Sequence, residues 1–339
     1  MDSGPHGHKV NRAPIGPALA MLPLYCLGET GKLVATGLLR ALHRDPRVLG
    51  PPPFVPHTGQ MLYTGLLTLV AGVLGMLLTY RLLRRYFARA AALAGAVVAI
   101  VATPQLWYLT IQPHYQHGLA FAAVALFLLR WDRERGSLRP RRFFALGVLC
   151  GVAMLMRAQE VVFLLAPALE LLLALVRGAG RPGQRIDATD LGAARPGQRA
   201  GAIGLCAGVL GVGVVLGFLP QLAVWGAYFG WFVRPPNIEA LRPLQPAIAE
   251  VLWSMRAGLF PWTPVAYLGC AGLGLGLLRR GGAVVSAEQQ PAGRRTRRGL
   301  LAAAVVILLA DVDLVASSWV WYGGFSFGAR RLADCAGLL

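Results

Sequence analysis

Two adjacent arginines close an aromatic, glycine-bearing stretch near the end of the chain: Trp319-Val320-Trp321-Tyr322-Gly323-Gly324-Phe325-Ser326-Phe327-Gly328-Ala329-Arg330-Arg331. Paired guanidiniums are well built to grip a phosphate through forked, charge-assisted hydrogen bonds. The glycines permit sharp turns or a close approach to a ligand. Trp and Tyr suit a membrane–water interface, so the same stretch also fits an anchor with snorkelling arginines. Arg157 and Arg256 are two further arginines at the ends of apolar runs, and each fits either role. Gln159 and Glu160 follow Arg157 after one alanine, and Glu160 has the spacing to pair with it on one helical face. Gln116 and His117 close a polar turn that begins at Gln112, and Trp262 stands between Pro261 and Pro264. Asp311 and Asp313 lie inside an apolar run, where ionisable groups are costly, and pairing with another helix is their expected use.

The composition dictates where such residues must sit. The chain has 339 residues, 56% of them hydrophobic and 14% charged, with a mean hydropathy of +0.55. That composition excludes an ordinary soluble domain. A formal charge of +18 would suit nucleic acid, but the arginines fall in short clusters between long apolar runs. This arrangement predicts a polytopic membrane protein and no nucleic-acid partner. The five cysteines are scattered, form no CxxC pair, and indicate neither a zinc site nor a disulfide framework.

The fold expected is all-α, a bundle of about eight transmembrane helices with external loops and short interfacial helices. Residues 1–60 are expected to form an external re-entrant or interfacial segment and loop. Three prolines between Pro14 and Pro23 favour a short helix there over a straight span. The spanning region is expected over 61–321, and 322–339 as an external juxtamembrane segment. Spans are expected at Met61–Tyr80, Ala90–Leu106, Gly118–Leu129, Phe143–Met156, Val161–Val176, Ala200–Tyr228, Val265–Leu278 and Gly299–Ser318. Alternating them puts the loops 81–89, 130–142, 177–199 and 279–298 on one side. Those loops hold most of the 33 lysines and arginines, so that side is expected to be cytoplasmic. All six histidines and the candidate site residues fall on the other side. The basic side carries no phosphate-binding glycine loop, which argues for an external site.

Six pieces of the chain, in order, resemble the membrane-integral glycosyltransferases of the C-type superfamily, close to bacterial relatives of protein mannosyltransferases and aminoarabinose transferases. They are Asn11–Leu19, Gln112–Gly118, Gly151–Glu160, Leu219–Trp225, Ser254–Pro264 and Gly324–Arg331. Two departures are Gln116, where relatives often carry Ser, and Ala158, where Pro is common. The resemblance implies transfer of a sugar from a polyprenyl-phosphate carrier to an acceptor on the external face of a bacterial inner membrane. It implies carrier-phosphate binding by Arg330, Arg331, Arg256 and Arg157. It implies a substrate pocket at His117, Gln116, Gln159, Glu160 and Trp262, where His117 also fits a satisfied structural histidine and Trp262 either a sugar platform or the cap of a span.

In this superfamily the general base is an acidic residue of the first external loop, soon after the first span. The resemblance therefore places the catalytic residue upstream of this chain, which reads as an internal fragment inactive by itself. Asp2 is the one acid before Pro14. The partners implied are membrane lipid and the polyprenyl-phosphate-linked sugar donor, with the acceptor open. No metal-ligand pattern is visible, and the residues leave the cofactor unknown and a divalent metal open. Two other classes share the basic loops and external arginines: a polyprenyl-lipid flippase or transporter, and a non-catalytic relative. A transporter should carry repeated halves with intramembrane polar residues, and no such repeat is visible.

Overall fold

Apolar runs that must satisfy their own backbone in lipid have few options besides the helix. The computed structural model describes residues 14–45, 58–113, 115–178, 196–230, 241–278, 297–324 and 327–338, and among them it contains helices and no strands beyond one isolated bridge. In chain order the helices are α1 (Gly16–Ala41), α2 (Thr58–Leu83), α3 (Arg89–Val101), α4 (Gln105–Thr110), α5 (His117–Arg133) and α6 (Pro140–Met156). A 3-10 segment, Ala158–Leu164, leads into α7 (Leu165–Gly178). There follow α8 (Pro196–Phe229), α9 (Ile248–Trp253), α10 (Leu259–Trp262), α11 (Val265–Leu278), α12 (Arg297–Ala316) and a second 3-10 segment, Arg330–Leu338. The expected loops over 179–195 and 279–296, and Asp2, His6, His8, His57, His114 and Trp231, lie outside the described residues.

A helix occupies every apolar run expected to span. Four stretches are long and apolar enough to cross a membrane: Thr64–Leu83, Ala158–Val176, Arg199–Tyr228 and Arg298–Ala316. Helices α3 and α11 are apolar but shorter. The expectation of a short helix near the start is corrected, because α1 runs for 26 residues, about 39 Å at 1.5 Å per residue. Pro17 lies in its first turn, where the missing N–H costs no helical bond, so of the three prolines only Pro23 is inside the helix.

The main core is built from α5, α6, α7, α8 and α12 around Phe127, Phe143, Phe163, Leu146 and Ile307. Helices α6 and α8 run parallel and make the most extensive helix pair. Gly147 and Gly151 of α6 face Gly213 and Gly217 of α8, so the two backbones touch. A Cβ at Gly147 would lie 2.2 Å from the Leu210 carbonyl oxygen, and one at Gly217 would lie 2.4 Å from that of Val148. Small residues at this four-residue spacing allow dispersion contact between helices where lipid supplies no hydrophobic drive. Elsewhere on α8, a Cβ at Gly204, Gly208 or Gly211 would find no neighbouring atom within 4 Å.

Charged side chains tie the helices at the arginine-rich end. Asp132 of α5 accepts from Arg85 Nε at 2.8 Å and from Tyr86 Oη at 2.6 Å. Burial, and then the Asp132 charge, push the Tyr86 hydroxyl above its ordinary range, which keeps it the donor. Glu170, an acid inside an expected span, accepts from both terminal nitrogens of the buried Arg142 at 3.0 and 2.8 Å and from Trp131 Nε1 at 2.9 Å. These contacts join α2, α5, α6 and α7 at one end, as an alternating up-and-down path requires.

The α6–α8 contact makes a direct prediction. Gly151→Ala and Gly217→Ala should each destabilise the bundle by about 1–3 kcal/mol, the usual range for overpacking. Gly208→Ala, on the open face of the same helix, should be neutral or slightly stabilising, because alanine is the better helix former. Thermal unfolding in detergent compares them, and equal losses at all three positions would refute backbone contact as the source.

Candidate functional site

Three helices end together at the side of the bundle away from the arginine clusters. Helix α6 stops at Met156, and Arg157 adopts an extended backbone (φ −153°, ψ 123°) that turns its side chain inward. Helix α5 begins at His117 and α4 at Gln105. Into the space between them folds the 3-10 segment Arg330–Leu338, which packs on α3, α4, α5 and α12.

Asp334, on that segment, is the common partner. One carboxylate oxygen takes a short ion pair from Arg157 Nη1. The other accepts from Gln105 Nε2 at 3.1 Å and faces His117 Nδ1 at 3.4 Å. Gln105 Nε2 also reaches the Ala333 carbonyl at 3.0 Å. Arg157 Nη2 donates to Gln159 Oε1 at 2.6 Å and to the Arg331 carbonyl at 3.3 Å, and Gln159 Nε2 donates to the same carbonyl at 2.6 Å. Gln159 Nε2 also lies 3.4 Å from Asp311 of α12, whose second oxygen accepts from Cys335 Sγ at 3.0 Å. Arg157, Asp334, His117, Gln105, Asp311 and Glu160 are all buried.

Burial alone would raise the Asp334 pKa, but the Arg157 guanidinium outweighs it and holds the carboxyl well below the usual carboxylate range. Arg157 does not pair with Glu160 as the sequence spacing allows. The helix ends before Arg157, so the two residues do not share a helical face, and the guanidinium goes to Asp334. Asp311 does bond outside its own helix, as expected of an acid in an apolar run.

The remaining candidates border this network. The Arg330 guanidinium lies 4.5 Å over the Tyr115 ring and, among the described residues, makes no ion pair. Burial, and then the charge of Arg157, lower its pKa, so an anion alongside would be stabilised. Arg330 and Arg331 border a depression lined also by Val251, Ala257, Val315, Trp321 and Tyr322. Arg256, exposed, stacks 3.6 Å over the Tyr322 ring. Trp262 donates from Nε1 to the Met255 carbonyl at 2.8 Å, and its ring meets Phe327 edge-on at 5.2 Å. Phe327 stacks in turn on Trp107 at 4.4 Å, and its backbone N–H donates to Tyr108 Oη at 3.0 Å. Gly323, Gly324 and Gly328 all take positive φ, a backbone region that glycine enters without strain. Gln116 precedes α5, half-buried, and its carbonyl accepts from Ala120 N; its side chain makes no contact with the network.

The structure thus gathers His117, Arg157 and Gln159 around the 3-10 segment that carries Arg330 and Arg331, with Glu160 also buried, while Arg256 stacks on Tyr322 and Trp262 meets Phe327. Sequence reasoning missed Gln105, Tyr108 and Asp334. Asp334 carried a usable signal, as an acid within the otherwise uncharged stretch Leu332–Leu338. The sequence signature of the dolichyl-phosphate-mannose-protein mannosyltransferase family matches residues 60–182, from α2 through α7. The matched segment supports a membrane glycosyltransferase-like superfamily member. It contains His117, Arg157, Gln159 and Glu160, while the other candidates follow it in the chain. No curated protein and no solved structure matches the chain.

A buried ion pair stripped of one partner leaves an uncompensated charge, so Asp334→Ala should cost about 3–5 kcal/mol of stability. The pKa of Asp334 is depressed on folding. Its contribution is therefore complete above the free carboxyl value of about 4 and is lost as pH falls through the lower folded value. The gap in melting temperature between wild type and Asp334→Asn should shrink as pH falls below about 4 on that reference value. A gap that closes already at pH 6 would contradict this linkage.

Proposed function

We propose that this superfamily member transfers a sugar from a polyprenyl-phosphate carrier to an acceptor at the external face of a bacterial plasma membrane, with residues 61–321 as the spanning region. In this reading the depression beside Arg330, Arg331 and Tyr322 receives the carrier phosphate. The observation that carries it is that Arg330 and Arg331 line one depression together with Tyr322, on whose ring Arg256, far from the pair in sequence, is stacked. Guanidiniums held there oppose the negative charge that grows on the phosphate as its bond to the sugar breaks. The acceptor hydroxyl oxygen forms the new bond to the anomeric carbon, the carrier phosphate leaves with the bonding electrons, and the hydroxyl proton passes to a base. None of the residues at the depression is assigned that last role. Trp262, 38% exposed and edge-on to Phe327, offers an aromatic surface of the kind that packs against a sugar ring.

The arginine roles are tested by charge-conserving change. A guanidinium fork meets two phosphate oxygens at once, and a lysine cannot. Charge-assisted bonds contribute about 1.5–3 kcal/mol each, so Arg330→Lys or Arg331→Lys should weaken donor binding by roughly ten- to a hundredfold. Normal expression with wild-type donor affinity in both variants would leave these arginines as interface anchors.

Orientation is tested separately by membrane-impermeant thiol labelling, with the exposed Cys26 replaced. A cysteine at Leu244, 95% exposed, should react from outside intact cells, and one at Ser137 only after the membrane is opened. The reverse pattern would place the depression on the cytoplasmic face and defeat the external reading.

A further inference from the structure

The sequence offers Arg157 as one of four phosphate-binding arginines, but its environment differs from that of the others. Arg256 is exposed and Arg330 and Arg331 are half-buried at the depression, whereas Arg157 is buried beneath it. Its two terminal nitrogens are committed to Asp334, Gln159 and the Arg331 carbonyl. Those partners share one property: Asp334 and the Arg331 carbonyl belong to the segment that carries the arginine pair, and Gln159 bonds that same carbonyl. Gln105 adds two bonds to the segment, at Ala333 and Asp334.

We infer that Arg157 and Asp334 form a positioning clasp that holds the backbone of Arg330–Asp334 in place and so sets where the Arg330 and Arg331 guanidiniums stand at the depression. The inference deepens the proposed function and rests on it for the identity of the anion. The clasp itself is a statement about this chain's own segment and can be read without any ligand.

The geometry explains why a clasp is needed. Glycines of positive φ at Gly323, Gly324 and Gly328 precede the pair. Arg330 N bonds locally to the Gly328 carbonyl and Leu332 N to that of Ala329, which shapes the turn without attaching it to the bundle. Polar attachment comes from the side chains of α4, from His117 of α5, from Asp311 of α12, and from the side chains just after the end of α6. Because Arg157 bonds the Arg331 carbonyl directly, a shift of the clasp moves the peptide that directly follows the two candidate phosphate ligands.

The decisive variant removes both charges together, Arg157→Gln with Asp334→Asn. Replacing a buried pair by neutral groups of similar size is often tolerated, whereas either single change leaves a bare charge. The double variant in detergent should melt close to wild type. It should nevertheless be cut by trypsin after Arg330 and Arg331 at least tenfold faster, with the new ends read by mass spectrometry. Its affinity for a C55 polyprenyl monophosphate in nanodiscs should fall about tenfold. Gln105→Leu, which removes only the amide bonds, should move both readings the same way by about threefold. A purely structural ion pair predicts the opposite: a double variant of normal stability, cut and binding as wild type does. That result, or unchanged cleavage in a folded Gln105→Leu variant, overturns the clasp. If wild type itself does not bind the polyprenyl phosphate, the proposed function fails, and the cleavage rates still decide the clasp.

Discussion

A guanidinium buried among helices must have its charge and its donors answered from within the protein, and Arg157 is where this chain meets that demand. A lone buried charge costs several kcal/mol, so Arg157 forces a carboxylate and several oxygens to gather around it. Asp334, Gln159 and the Arg331 carbonyl are that answer. Because Asp334 and Arg331 belong to the last 3-10 segment, satisfying one charge also decides where that segment lies. His117, Gln105 and Asp311 are drawn into the same network by the acceptors and donors left over. The arrangement of this end of the bundle is thus electrostatic before it is hydrophobic.

The opposite end solves the same problem with different residues. Arg142 is as deeply buried as Arg157 and is closed by Glu170 and two backbone carbonyls. Those groups, with Trp131, answer both terminal nitrogens of Arg142, and the result joins α5, α6 and α7. Between the two polar ends the helices meet by shape alone, most closely where glycines of α6 and α8 let their backbones touch. A bundle fixed by shape in the middle and by charge at the ends has little freedom to slide, which suits a site assembled from several helix termini.

The six family-like pieces of sequence are scattered over most of the chain, yet described residues from them meet at one end. Ile15 N–H donates to Gln221 Oε1 at 2.8 Å, which joins the first piece to the fourth. His117 and Arg157 join the second and third, and Trp262 against Phe327 joins the fifth and sixth. Residues that are far apart in sequence and yet pack at a common surface are what a binding site made from loop and helix ends requires.

Much of this protein was legible in one dimension. Arginine clusters between apolar runs announced the helices, because a lipid-facing backbone must bond to itself and a charged cluster must leave the bilayer. The glycines before Arg330 were readable as turn residues, since few other residues take positive φ without strain. The length of α1 was not, because a proline count does not say which prolines fall in a first turn. Nor was the partner of Arg157. Helical spacing suggested Glu160, but the helix ends one residue too early, and Asp334 arrives from 177 positions away. Residue types and spacing determine which groups need partners and which backbones need turns. Which partner is met depends on where helices stop and how segments fold back, and only the tertiary structure decides that, because a buried charge is answered by whatever lies beside it in space.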